Sequence, residues 1–189
     1  MIQRKRVLVI TGVPGTGKTS FSNLLAKKMG NVEVIHVTDV VNAEKLFTSR
    51  SRDGAKIVDM RRLQRELGLL ISSSKKRTIL LESHLLCDMK LRNAGVLVLR
   101  EHLDALIGRM EKRGYSKEKI KANVVSEATD YCGIRAERNY KNVFEAFSGD
   151  KRLPGYATRL LEGKRLRKRS IDLLPEFDLL LRKRRELAL

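Results

Sequence analysis

Gly12-Val-Pro-Gly-Thr-Gly-Lys18-Thr19 satisfies G-x-x-x-x-G-K-[ST], the spacing of a phosphate-binding loop. Its flanks satisfy the context that loop requires. Val7-Leu-Val-Ile10 is an apolar run of strand length, and Phe21, Leu24, Leu25 and Met29 recur at helical spacing before Gly30. Gly12, Gly15 and Gly17 leave main-chain N–H groups free to curl around an anion, at a helix start that favours negative charge. Gly12, Gly15, Thr16, Gly17, Lys18, Thr19 and Ser20 form the expected phosphate-binding set. In such a loop Lys18 is expected to reach the β- and γ-phosphates, and the Thr19 hydroxyl to ligate Mg²⁺.

Working outward, the pattern alternates. Val32–His36 reads as a second strand, Asp39–Phe47 as a helix capped by Asp39, and 48–54 as a polar loop. Asp59–Ile71 is a helix with Met60, Leu63, Leu67, Leu70 and Ile71 on one face, and Asp59 is its cap. Thr78–Leu81 and Gly95–Leu99 are strands, followed by Glu82-Ser-His84 and Arg100. A helix runs from His102 to Arg113, Gly114 breaks it, and a second helix runs from Ser116 to about Tyr140. Asn142–Phe147 is a fifth strand, and Pro154–Leu161 a short helix. Strands alternating with helices predict a three-layer α/β fold: a parallel sheet of about five strands with helices on both faces. Such sheets bind ligands beyond the carboxyl ends of their strands. Gly12 to Thr19, Thr38-Asp39, Glu82 to His84 and Arg100 all fall there.

The 189 residues and 42% hydrophobic content suit one domain with a real core. No apolar run approaches membrane-spanning length, and no signal-peptide pattern opens the chain. A soluble, intracellular, cytoplasmic protein with no membrane association is expected. Cys87 and Cys132 are far apart in sequence with no C-x-x-C, which points to two idle thiols rather than zinc or redox chemistry. The net charge is +18, from 40 Lys and Arg against 22 Asp and Glu, and such an excess favours polyanions. From Gly163 onward two basic runs, 164–169 and 182–185, bracket Ile171, Leu173, Leu174, Phe177 and Leu179–Leu181. This reads as a basic extension, residues 164–189, docked on the domain with its cations outside. Nucleic-acid contact and a simply solvated helix face both fit it.

Phosphoryl transfer needs positioned cations and little covalent chemistry. Besides Lys18, Arg109 and Arg113 lie four apart on one helix face, and Arg113 immediately precedes the hinge at Gly114. An arginine carried on a lid reaches the phosphates only on closure. Arg109 fits a catalytic cation or a surface ion pair. Glu82, at the end of the third strand, is placed to hold Mg²⁺ or its water. A neutral His84 imidazole can position or deprotonate water, or simply bond between strand ends. His36 and His102 read as structural or surface residues.

TGVPGTGKTS (11–20), VIHVTDVVNAEKLF (34–47), LLESHLLCD (80–88) and the run from Val96 to Asp130 resemble the adenylate kinase isoenzyme 6 family. That family includes archaeal adenylate kinase-like proteins and the eukaryotic nuclear ATPase of small ribosomal subunit maturation. The resemblance spans about residues 5–163. It implies a nucleoside monophosphate kinase-like domain over 1–163, with an acceptor region at about 36–58 and a short lid at about 112–122. It also implies ATP and Mg²⁺ as cofactors, and AMP or another nucleoside monophosphate as acceptor. Lys151 falls where the family contacts the adenine base, and His84 resembles its histidine of ATP hydrolysis. The implied partners are ribosomal protein uS11 and small-subunit RNA or the pre-ribosome. Two positions depart from the family. Glu82 stands where Asp is usual, and Asn42 stands where a basic residue often holds the acceptor phosphate. Arg50 or Arg52 in the next loop is the expected substitute. The resemblance therefore implies ATP + AMP ⇌ 2 ADP with ATPase activity, weakened in its kinase part by Asn42. Its alternatives are a nucleotide-gated assembly or RNA-binding switch with little kinase turnover, and a kinase of a non-nucleotide acceptor.

Overall fold

Val7, Val9, Ile79, Leu81, Val96 and Val98 face one hydrophobic cluster, while Leu8, Ile10, Leu80, Leu97 and Leu99 face another. Strands buried on both faces read as continuous apolar runs, and that is how β1 (Arg6–Thr11), β5 (Thr78–Glu82) and β6 (Ala94–Arg100) read. A computed structural model describes residues 5–50, 56–167 and 171–183, with Arg50 described in its backbone alone. With β2 (Val32–His36) and β7 (Val143–Phe147) these strands form a five-stranded parallel sheet, ordered β2-β5-β1-β6-β7.

Helices cover both faces. On one side, α1 (Lys18–Met29) and α7 (Leu153–Leu161) bury Phe21, Leu25, Leu153, Ala157 and Leu160. On the other lie α3 (Met60–Ser73), α4 (Leu103–Glu111), α5 (Lys117–Ala128) and α6 (Tyr131–Asn139), with Leu63, Leu67, Leu106, Ile107, Val124 and Ala136 inward. Asp59 caps α3, accepting from the Arg61 and Arg62 amides at 3.1 and 3.0 Å. The chain leaves β1 for two strands on one flank and then returns to its other flank. The crevice at this switch lies beyond the carboxyl end of β1, directly over the glycine loop.

Three sequence expectations change. The helix expected over Asp39–Phe47 is α2 (Val37–Ala43), with Asp39 in its first turn rather than at its cap. The expected loop at 48–54 begins as a strand, β3 (Phe47–Arg50), paired antiparallel with β4 (Lys56–Val58). Its Thr, Ser and Arg residues suit a two-stranded ribbon outside the core, where apolar alternation gives no signal. The long helix from Ser116 breaks after Ala128, because Asp130 adopts φ 54° and turns its carboxylate to Arg100 at 2.6 Å. A Cβ on Gly133 would lie 2.3 Å from that carboxylate, so glycine admits it.

The basic extension is anchored to the domain. Within α8 (Leu174–Lys183) Leu180 is buried, as is Leu173 before it. Glu176 accepts from the Leu103 amide at 2.8 Å and lies 2.6 Å from His102 Nδ1. It thereby caps α4 from another part of the chain. No described helix is long and apolar enough to cross a membrane.

Candidate active site

The glycine loop joins β1 to α1 and depends on conformations few residues adopt. Gly12, Gly15 and Gly17 have φ of 135°, 96° and 86°. A Cβ on Gly12 would lie 2.3 Å from the Leu99 carbonyl oxygen, a backbone atom that cannot swing away. Helix α1 starts with no acidic residue in its first turn, so its N–H groups keep their positive end for a ligand. Lys18 is buried and donates from Nζ to the Gly12 and Val13 carbonyls, each at 2.9 Å. Burial holds its pKa below the ordinary lysine value, against the opposing pull of Glu82. Thr16 turns inward, its hydroxyl donating to the Val13 carbonyl at 3.0 Å, so its side chain braces the loop.

A cleft of about 940 Å³ opens over this loop. Gly15, Gly17, Lys18, Thr19 and Ser20 form its floor, with Glu82, Ser83 and His84 beside them. Thr38, Val41 and Asn42 of α2 and Lys56 and Val58 of β4 form one wall. Arg113, Tyr115, Ser116 and Lys119, from the turn into α5 and its first residues, form the other. Helix α2 and strand β4 thus face the turn into α5 across the loop. A larger cavity, about 1110 Å³, lies at the opposite edge of the sheet. It contains no part of the loop.

Thr19 Oγ1 lies 3.2 Å from Glu82 Oε1, and His36 Nδ1 lies 2.9 Å from the same oxygen. A hydroxyl beside a carboxylate is an all-oxygen donor pair. It fits Mg²⁺, which takes few protein ligands and completes its shell with water and phosphate. His36, expected as structural, belongs to this site: it orients the carboxylate. Its position at the end of β2, next to β5, was the available signal. Among the described residues no cluster of three or more His, Cys, Asp or Glu could hold a metal by itself. His84 lines the cleft beside the phosphate loop. The enclosing protein first, and then the Lys18 ammonium, push its pKa down to about 4, so the imidazole is neutral at physiological pH.

Arg113 lines the cleft, but Arg109 does not. Its guanidinium donates to the Gly15 carbonyl at 3.1 Å and pairs with buried Glu101 at 2.5 Å. It braces the loop from outside. Lys151 sits exposed in the turn after β7, away from the cleft lining. Arg100, placed at the chemical edge by sequence, is buried instead and bonded to Glu127, Asp130 and Glu145. Burial opposes its charge, but those three carboxylates raise its pKa on balance. Arg52 lies outside the described residues, as does the Arg50 side chain. Lys56, which sequence reasoning did not single out, donates to Asn42 Oδ1 and stands 4.5 Å from the Phe47 ring centroid. Only the ribbon pairing brings it opposite α2. Cys87 and Cys132 meet in the core as free thiols, and the contact with Cys87 and then burial raise the Cys132 pKa.

A family profile described as an AAA domain matches residues 8–130. A Methanosarcina barkeri protein named "Putative adenylate kinase" is 38% identical over 141 residues, 72% of this chain and 73% of its own. Proteins of that name from Methanocaldococcus jannaschii and Pyrococcus abyssi are 32% and 36% identical, over 66% and 77% of this chain and 68% and 76% of theirs. Shikimate kinase from Bacteroides thetaiotaomicron superposes with a TM-score of 0.54 at 15% identity, over 83% of this chain and 96% of its own. A Thermus thermophilus structure, TT1252, gives 0.51 at 18%, over 85% and 97%. At those identities the two structures speak to fold alone. A phosphate loop at the end of β1, a matching family profile over most of the sheet and relatives aligned along most of their length agree: the chain belongs to the AAA-domain family that also holds these proteins of the adenylate kinase name.

Proposed function

We propose that this protein is a nucleoside monophosphate kinase that catalyses ATP + AMP ⇌ 2 ADP and also hydrolyses ATP. The observation that carries the reading is the cleft itself. The phosphate loop forms its floor, Lys56 stands on the α2–β4 wall, and Arg113 stands on the wall leading into α5. A donor phosphate on the floor and an acceptor phosphate near Lys56 would face each other between those walls.

Main-chain amides from Gly15 to Thr19 bind the donor phosphates, and Lys18 exchanges its two carbonyl partners for phosphate oxygens. Thr19 and Glu82 would hold Mg²⁺, which supplies charge neutralisation on the phosphates. His36 keeps the Glu82 carboxylate oriented. Arg113 reaches the transferring group when the 112–122 segment closes, and closure excludes water. Arg109 acts through the loop it braces. Neutral His84 orients a water for hydrolysis when no acceptor is bound. Lys56 replaces the missing base at Asn42 as the acceptor-phosphate cation, with Asn42 and the Phe47 ring holding its ammonium group in place.

Coupled measurement of ADP formation tests this. Turnover that depends on AMP and disappears in Lys18→Ala is expected. ATP hydrolysis indifferent to AMP overturns the kinase and leaves a nucleotide-gated switch. That second reading draws on Asn42 and on the net charge of +18. The family resemblance adds a role in late small-subunit ribosome maturation in the cytoplasm, through uS11 and small-subunit RNA. Copurification with isolated uS11 that responds to ADP against ATP is the expected result.

A further inference from the structure

The cavity at the amino edge of the sheet has no place in that chemistry, yet its composition is one-sided. Lys5, Arg6, Arg77, Lys90, Arg92 and Lys141 line it, with Glu162 the one carboxylate among the described lining residues. Glu162 is paired with Lys164 at 2.8 Å. Lys5 is tied to the Ser74 and Lys76 carbonyls. Arg6, Arg77, Lys90, Arg92 and Lys141 are exposed, and no ion pair joins them to a described carboxylate. The carbonyl ends of α6 and α7 face this edge and favour cations there. Two helix ends amount to about one negative charge between them, well short of offsetting the group.

At about 1110 Å³ the cavity is too large for one small anion. Its apolar residues also argue against a protein partner, which would need a protruding anchor. Leu160 and Leu161 are buried, and the Tyr140 hydroxyl is already bonded to the Leu86 carbonyl at 2.8 Å. A chain of phosphates fits better, because successive cations can each meet one. The basic extension begins at this rim: Asn142 donates to the Lys164 carbonyl at 3.2 Å, and Leu166 packs on the core beyond. Arg165 and Arg167 therefore prolong the same exposed track.

We propose that this amino-edge cavity, continued by residues 164–167, is a binding groove for the phosphodiester backbone of a nucleic acid, on the edge opposite the nucleotide cleft. Contact is to the backbone, without base readout. RNA and DNA strands then bind alike.

The test uses fluorescence anisotropy of labelled 20-nucleotide RNA and DNA strands with the full chain across a salt series. Arg77→Ala/Arg92→Ala/Lys141→Ala is compared with Lys112→Ala/Lys117→Ala/Lys121→Ala, a matched triple near the other edge. The cavity variant is expected to bind at least tenfold more weakly. Its slope of log affinity against log salt should be shallower by about two, at roughly 0.7 per lost contact. ADP formation by the cavity variant should remain within twofold of the parent, which shows an intact fold. Should it fall further, Arg77→Lys/Arg92→Lys must restore strand binding, since charge alone is required. Equal losses in both triples, no strand binding by the parent chain, or binding of polyglutamate in its place would each overturn the groove.

Discussion

Asn42 cannot neutralise a phosphate, and Lys56 stands beside it from a different element. If Lys56 holds the acceptor phosphate, Lys56→Ala raises the KM for AMP about tenfold, roughly 1.4 kcal/mol of binding. ATP hydrolysis without AMP should be unchanged. A kcat loss with KM unmoved would assign Lys56 elsewhere. His84 makes a separate claim through its pKa of about 4 rather than the usual 6.5. The neutral ring prevails above about pH 4, so ATPase activity should persist from pH 8 to 5 and fall only below that. In His84→Ala the ATPase should drop at least tenfold while the Kd for ATP stays within threefold. Equal losses of binding and hydrolysis would make the residue structural. Glu145 shows the opposite sign. Burial and then Asp130 raise its pKa from 4.5 to about 7, despite Arg100. The folded state then binds more protons than the unfolded state between those values, so stability falls as pH rises through that window. Glu145→Gln should flatten that slope in denaturant melts taken from pH 4.5 to 7.

The phosphate loop is a rigid fitting between β1, β6 and α4, and Arg109 and Thr16 hold it from either side. Strand β6 meets α7 equally closely. A Cβ on Gly95 would lie 2.8 Å from the Leu160 carbonyl oxygen, and that backbone has no room to retreat. Gly95→Val should therefore cost about 2 kcal/mol or more, read as a lower urea midpoint with an unchanged m-value. Helix α8 looks like an appendage by charge, but Glu176 caps α4 and Leu173 and Leu180 fill the core. Glu176→Ala is expected to cost about 1 kcal/mol. Truncation at 163 would remove these contacts together with the cations. A loss of nucleic-acid binding in that truncation could then reflect unfolding, which is why the charge variants are the sharper probe.

The sheet separates two kinds of chemistry. Its carboxyl edge holds the phosphate loop and the cleft above it, and its amino edge holds a cluster of exposed cations. A strand bound at the amino edge leaves the nucleotide cleft open, so saturating RNA should leave the KM for ATP within twofold. A competitive rise would place the strand in the cleft. The parallel sheet was legible in the sequence because every central strand is a short apolar run bounded by glycine or polar residues. That Lys18, Thr19, Glu82 and Arg113 would line one cleft was legible too, since each lies in the glycine loop, at a strand end or beside Gly114. Lys56, His36 and the brace formed by Arg109 were not. Each acquires its role from a residue at least fourteen positions away: Asn42 for Lys56, Glu82 for His36 and Gly15 for Arg109.

The order of neighbours along the chain was enough to specify the glycine loop, the strand–helix alternation and the charge excess. Those depend on local backbone conformation and on which side chains are apolar. Whether a cation faces a phosphate, a carboxylate or solvent was decided only when strands and helices packed. Arg100 became a buried structural group, and Arg109 a brace on the loop. Lys56 entered the cleft wall, and six bases gathered where no run of sequence placed them together. A charge acts through distance and dielectric, and folding sets both.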